Sequence, residues 1–421
     1  MTSPESADVA TADLRKSDLV VALVIWAVLR ELQVSFAGGG FGNDLNEYFA
    51  YAKSWASGRT PYVDFFVEYP PGALILFLLP FLMGGREHFI KAFVGQMVAL
   101  DCATFVLVLL LARELFPANL GRQRLAAGSY LLATALLQPV LYARFDLAPA
   151  LLVLGATYLT LRHRRLASPF LLGLGGAVKL WPLLLLPMWL GQAYRKGGSQ
   201  GVVRVGAMTA VGYAAPMLLL LPRAGGKVTA FFHFHVARGL QLESTWASVL
   251  LMLGRLGIID VSPVSAMGAW EVQGAGCSVL AQASVVAVLM LSLAPQYLSY
   301  RHGLDFDSKA AKPVVVWAVA AVVLGFLVGG KVLSPQYLVW IAALMALSGA
   351  AASGMLVGAS AFTTLIYPLL YPALSDSNAL GHGSAVWALL LRNVLLCAAY
   401  VLLLRKIVQA PGLTSPIPPG H

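Results

Sequence analysis

Long apolar runs recur along the whole 421-residue chain, and lysine and arginine gather in the short polar connections between them. No other feature restricts the fold so strongly. A run of ~20 apolar residues spans the hydrocarbon of a bilayer once wound into a helix, the form that satisfies its own backbone donors and acceptors there. Composition agrees: 59% of residues are hydrophobic and 11% charged, with a mean hydropathy of +0.76. A soluble core has no room for that much apolar surface. The chain therefore reads as an all-α polytopic membrane protein of about 12 transmembrane helices. Their expected positions are Leu19–Phe36, Phe89–Leu111, Ala126–Leu141, Leu147–Leu161, Pro169–Val178, Leu183–Ala193, Val205–Leu221, Cys277–Leu298, Val314–Val328, Tyr337–Leu347, Met355–Tyr371 and Val386–Leu404.

The formal charge of +10 argues for orientation rather than for nucleic acid, because the cations sit between apolar runs and not on a basic face interleaved with aromatics. With the amino terminus inside, Arg113/Arg122/Arg124, Arg162/Arg164/Arg165, Arg195/Lys196/Arg204, Arg301/Lys309/Lys312 and Arg405/Lys406 all fall in cytoplasmic loops. Residues 1–17 and 409–421 become cytoplasmic tails around one transmembrane domain, 18–408, whose long outer loops are 37–88 and 222–276. Arg15 and Lys16 before the first run resemble a signal peptide, but the run is long and interrupted by Arg30 and Glu31, as an uncleaved first helix is. The apolar stretch Pro70–Met83 is expected at the outer interface. Cys102, Cys277 and Cys397 lie in or at apolar segments and show no disulfide or zinc spacing.

On the outer side the same topology leaves isolated cations that orientation bias disfavours: Arg144, Lys179 and Lys331. Acids and aromatics accompany them. Asp44 follows the first span, and Glu47, Tyr48 and Tyr51 share one side of the helix expected over 45–56. A carboxylate at a membrane exit is placed to take a proton from an alcohol; Asn43 or Asp44 would equally cap that helix. Tyr62-Val63-Asp64 and Glu68-Tyr69-Pro70-Pro71 form a rigid turn fit to grip a sugar, or an interfacial belt with a proline-started helix. Arg144-Phe145-Asp146 suits a local ion pair. Lys179, in GLGGAVKLWP, lacks the spacing of a nucleotide phosphate loop and would otherwise snorkel to the interface. The segment FFHFHVARGLQLESTWASVL contributes His233, His235, Arg238, Gln241 and Glu243; no third ligand matches the histidines, so no metal is expected. On a surface helix Arg238 and Glu243 would pair with each other. Lys331 stands with Ser334, Gln336 and Tyr337 at a proline-broken turn. Acids able to act as base and cations able to hold a phosphate, all on one face, are what sugar transfer from a phosphate-linked lipid requires. A lipid or solute transporter is the rival class.

Taken together, NDLNEYFAYAKSWASGRTPYVDFFVEYPPGALILFLLP, ARFDLAPALLVLGATYLTLRHRRLASPFLLGLGGAVKLWPLLLLP, RGLQLESTWAS, KVLSPQYLVW and TTLIYPLLY resemble the GT-C integral-membrane glycosyltransferases. The likeness is narrower to glycosyltransferase family 87 (DUF2029), which includes polyprenyl-phosphate-mannose-dependent mannosyltransferases. It covers most of the chain from Asp44 to Tyr371. The resemblance implies a GT-C-like bundle with interfacial helices in the first outer loop, Asp44 as the essential acid, and a polyprenyl-phosphate-linked sugar donor used without a nucleotide, cofactor or obligatory metal. It implies inversion at the anomeric carbon and a glycolipid or lipoglycan acceptor at the extracytoplasmic face of the plasma membrane. By analogy Lys179, Arg238 and Lys331 would contact the donor phosphate. Glu47, Tyr48, Glu68, Tyr69, Arg144, Asp146, His233, His235, Gln241, Glu243, Gln336 and Tyr337 would contact the sugar or the acceptor. Glu68 before Tyr-Pro-Pro and the His233/His235 pair depart from the mannosyltransferase pattern, which leaves arabinofuranose or another hexose open beside mannose.

Overall fold

The computed structural model describes residues 16–36, 42–376 and 383–410; the tails expected at 1–17 and 409–421 fall almost wholly outside them. Helices dominate, and the chain is a multi-pass membrane protein. Among the described residues five helices are long and apolar enough to cross a bilayer: Pro71–Leu115, Cys277–Arg301, Lys312–Gly329, Ala350–Ser375 and Gly383–Val408. A pair bent by 70°, Trp181–Met217 with Leu221–His235, makes a sixth if it is one span. Shorter apolar helices, Leu147–Leu161, Ala167–Val178 and Pro335–Ala346, accompany them. Helix Lys312–Gly329 is buried along nearly its whole length and lies at the centre.

Two elements double back. Helix Pro71–Leu115 is interrupted at Gly85 (φ 56°, ψ −154°), and Gln96 Nε2 donates to the Leu76 carbonyl at 3.1 Å across the break. In a straight helix those residues would stand ~30 Å apart. The element is therefore a hairpin of two arms, 71–84 and 86–115, and Tyr48 touches both, stacking on Phe77 at 4.2 Å and meeting Phe93 at 5.6 Å. The stretch expected at the interface is the first arm, ~21 Å long and so shorter than a hydrocarbon core. Helix Leu186–Met217 is interrupted likewise at Gly197-Gly198, and its arms match the spans expected at 183–193 and 205–221.

The all-α expectation needs one correction. Within residues 240–274, on either side of helix Thr245–Arg255, lie the strands of a three-stranded antiparallel sheet ordered β1 (Leu240–Gln241), β3 (Ala269–Gly274), β2 (Val261–Ala266). Met267 and Gly268 both have positive φ (48° and 74°), the conformation that joins two strands through a two-residue turn.

Charges inside the bundle are paired. Asp101, fully buried, accepts from Arg30 Nε and Trp26 Nε1 at 2.7 Å, from Tyr130 Oη at 2.5 Å and from Tyr142 Oη at 3.2 Å. Such satisfaction is what lets an ion pair persist away from water. The loops expected on the cytoplasmic side meet at one end of the bundle, where Lys196 reaches Asp305 (2.6 Å) and Asp307 (3.2 Å), Arg165 reaches Asp307 (2.9 Å) and Lys312 reaches Glu114 (2.6 Å). Helix Leu147–Leu161 runs from Asp146 to Arg162, and helix Lys312–Gly329 runs from Lys312 toward Lys331. The isolated cations therefore lie at the opposite end.

Candidate active site

That opposite end encloses a cavity of about 1000 Å³. Its lining draws on segments far apart in the chain, and each is delivered there by a local structural cause.

Asp44 lies in the first turn of helix Gly42–Ala56, where the exposed N–H groups and the helix dipole favour a carboxylate. It stands inside the first turn, and its Oδ1 pairs with Arg144 Nη1. The local Arg144–Asp146 pair is likewise replaced, because Asp146 pairs with Lys179 at 2.7 Å. One turn on, Glu47 lines the cavity and accepts from Tyr51 Oη at 2.5 Å. Tyr48 turns inward, 1% exposed, with Phe145 edge-on at 5.7 Å.

The Glu68-Tyr69-Pro70-Pro71 turn is braced by Tyr62 Oη, which donates to the Tyr69 carbonyl at 2.7 Å, and Pro71 starts the helix it precedes. At Gly72 the chain passes so near the end of helix Ala167–Val178 that a Cβ would lie 2.6 Å from the Ala177 carbonyl oxygen. This close approach brings Glu68 and Tyr69 beside Lys179, and all three line the cavity. Burial pushes the Glu68 carboxyl above its usual range, against the opposing hydrogen bond from Tyr69 and the charges of Arg238 and Lys179.

Lys179 ends its helix in extended conformation (φ −155°, ψ 135°), which points it away from the helix axis. Its ammonium stands 4.9 Å from the Phe145 ring centroid, 5.1 Å from Tyr337 and 5.0 Å from Trp340. Trp340 donates its indole N–H to Asp146 Oδ1 at 2.6 Å and lies between Tyr337 (3.9 Å, 22°) and Trp181 (4.9 Å, 18°). Gln336 lines the same wall.

Residues 238–243 are not a surface helix. Arg238 is extended and β1 follows it; Lys331 Nζ donates to the Arg238 carbonyl at 2.5 Å, Gln241 N to the Lys331 carbonyl at 2.9 Å, and Leu333 N to Gln241 Oε1 at 3.0 Å. Gln241, 3% exposed, is thus a clip between two segments. Glu243 does not pair with Arg238. Fully buried, it takes Arg392 Nη1 on Oε2 at 2.6 Å, while Arg392 Nη2 holds its carbonyl at 2.5 Å. Burial lowers the basicity of the Lys331 ammonium, which Glu271 counters and Arg238 reinforces.

The structure brings Asp44, Glu47, Tyr48, Glu68, Tyr69, Arg144, Asp146, Lys179, His235, Arg238, Gln241, Glu243, Lys331, Gln336 and Tyr337 to the one cavity. His233 is the exception; it is exposed and outside the lining. Among the described residues no group of three or more His, Cys, Asp and Glu assembles as a metal site would. Sequence reasoning passed over Trp181, Trp270, Trp340, Met267, Tyr367 and Tyr371, which also line it. Trp181 and Trp340 adjoin Lys179 and Tyr337 in KLWP and QYLVW, a signal that was present; Met267 and Trp270 arrive only through the β2–β3 turn.

Such a cavity, in which carboxylates stand beside cations, admits a group transfer in which a carboxylate takes a proton and an anionic group leaves. No curated protein matches the chain. Among solved structures, ArnT from Cupriavidus metallidurans, described as bound to undecaprenyl phosphate, is similar at 12% identity and a TM-score of 0.47, over 93% of this chain and 77% of that one. The oligosaccharyltransferase of Archaeoglobus fulgidus, in its apo form, is similar at 15% identity and a TM-score of 0.45, over 95% of this chain and 57% of that one. The family model of glycosyltransferase family 87 matches residues 66–302, which takes in Glu68, Arg144, Asp146, Lys179 and Arg238 and leaves Asp44 and Lys331 outside. That match runs through more than half of the sequence, and on it the chain belongs to glycosyltransferase family 87.

Proposed function

We propose that this chain is an inverting glycosyltransferase that moves a sugar, mannose first among the candidates, from a polyprenyl-phosphate donor to a hydroxyl of a glycolipid or lipoglycan. It works at the extracytoplasmic face of the plasma membrane, within a GT-C-like bundle of about 12 spans that counts the shorter apolar helices as crossings. The observation that carries the reading is the convergence of Asp44, Arg144, Asp146, Lys179, Arg238 and Lys331 on one cavity, at the end of the bundle opposite the basic loops.

In this reading Asp44 accepts the proton of the acceptor hydroxyl as that oxygen bonds to the anomeric carbon. The bond from that carbon to the phosphate oxygen breaks on the opposite face, and the phosphate leaves with the electron pair. Arg144 holds Asp44 in place through its ion pair, and wall cations stabilise the charge that grows on the phosphate. The paired state of Arg30–Asp101 and Arg392–Glu243 speaks for enzyme over transporter, since these intramembrane charges lock helices together instead of marking a route.

The test is transfer of radiolabelled sugar to membrane lipid by the purified full chain, with polyprenyl-phospho-mannose, polyprenyl-phospho-arabinofuranose and a nucleotide sugar offered in turn. Label from a polyprenyl donor, abolished in Asp44→Asn with the protein still folded, supports the reading. Label from the nucleotide sugar alone would overturn the donor class, and undiminished turnover in Asp44→Asn would overturn the base.

A further inference from the structure

The family resemblance would give Lys179, Arg238 and Lys331 to the donor phosphate, yet the surroundings of the first two differ. Lys179 is already neutralised. Asp146, 2% exposed, holds its ammonium at 2.7 Å on the same Oδ1 that takes the Trp340 indole N–H at 2.6 Å, and three aromatic rings enclose it within 5.1 Å. A phosphate brought to this ammonium would lie beside a buried carboxylate, and separating the pair to admit it would leave Asp146 uncompensated.

Arg238 is unlike it. Among the described residues none of its guanidinium nitrogens lies in a salt bridge, and its Nε is buried without an acceptor. Its main chain is fixed by the bond from Lys331 Nζ and, through Lys331, by Gln241. Its side chain lies 5.7 Å from the Phe234 ring centroid. A planar fork of donors, one of them buried and without an acceptor, matches phosphate oxygens in a way a compact ammonium does not.

Resting on the polyprenyl-phospho-sugar reading above, we propose that Arg238 binds the donor phosphate, whereas Lys179 with Asp146 and Trp340 forms the set that recognises the sugar. The set has the parts this requires: a carboxylate and an ammonium held together, and Tyr337, the half-buried end of a ring column whose inner members Trp340 and Trp181 are buried, for the apolar face of a sugar. A site built to hydrogen-bond a particular hydroxyl rejects sugars that lack it there, because its buried polar groups are then left unpaired.

The experiment uses the full chain in nanodiscs and three ligands: undecaprenyl phosphate without sugar, and its mannosyl and arabinofuranosyl derivatives as donors. Arg238→Gln is expected to weaken binding of the sugar-free phospholipid by ~10- to 100-fold and to flatten its salt dependence. Lys179→Gln is expected to bind that ligand within about threefold of the parent, but to lose its preference between the two donors, read as the ratio of kcat/KM, by about tenfold or more. Trp340→Phe, which keeps both charges, should reduce the same preference, and serves if Lys179→Gln does not fold. Arg238→Lys, likewise, should fall between parent and Arg238→Gln. Equal loss of sugar-free binding in Lys179→Gln and Arg238→Gln overturns the partition alone. Failure of the parent to bind any polyprenyl phosphate overturns the donor reading along with it.

Discussion

The two ends of the bundle use the same residue types and put them to different ends. At the loop end Lys196, Asp305, Arg165 and Asp307 join connections across the bundle, with side chains 30% to 68% exposed. Around the cavity Asp146 is 2% and Lys179 18% exposed. Water decides what each pair is worth: an exposed pair contributes about 0–1 kcal/mol, whereas breaking a buried one strands a charge and costs about 3–5 kcal/mol. The loop end is a fastening, and the cavity end is a prearranged field.

The comparison breaks most sharply at Asp44. Asp44→Asn should lower turnover by about 10²- to 10⁴-fold while the protein stays folded, measured by label transfer and thermal unfolding of the same sample. Next in size is Glu243→Ala, which leaves the fully buried Arg392 without its carboxylate and should cost about 3–5 kcal/mol, visible as a lowered melting temperature in detergent. Gly72→Ala drives a methyl against the Ala177 carbonyl; about 1–3 kcal/mol of overpacking strain should appear together with reduced turnover, since the displaced turn carries Glu68.

Glu68 gives a pH test. Its carboxyl is raised by burial, so the folded protein keeps a proton that the unfolded chain releases. The contribution is intact at or below the usual glutamate range and is lost as pH climbs through the raised value. Glu68→Gln should flatten that decline in a melting series from acid to neutral pH; an unchanged slope would assign the decline to other groups. The smallest effect is expected at the loop end, where Asp307→Asn should alter stability by no more than about 1 kcal/mol, less still at high salt, and leave turnover unchanged.

Much of this arrangement was legible before folding. Lys179 and Lys331 stood out because they break the charge bias of the side expected to face outward, and a charge that breaks that bias has a partner or a task. Partners were not legible. Arg144 and Asp146 sit two residues apart, yet one turns to Asp44 and the other to Lys179, residues that only folding brings beside them. The 240–274 sheet was hidden for another reason: its pairing depends on a two-residue turn at Met267-Gly268 and on β1, 28 residues before β3 begins by sequence number, a contact that hydropathy windows do not register.

Sequence alone determined that this chain lives in a bilayer, which loops face which end, and that acids and cations collect on one of them. Those properties follow from hydrophobicity and charge, which act residue by residue. The tertiary structure decided the fold-back at Gly85, the fastening of Gln241 between two segments, and the division of the cavity into a neutralised lysine and an arginine that lies in no salt bridge among the described residues. These depend on distances between residues up to 194 positions apart, as in the Trp340–Asp146 bond, and packing sets such distances, with no trace of them in local composition.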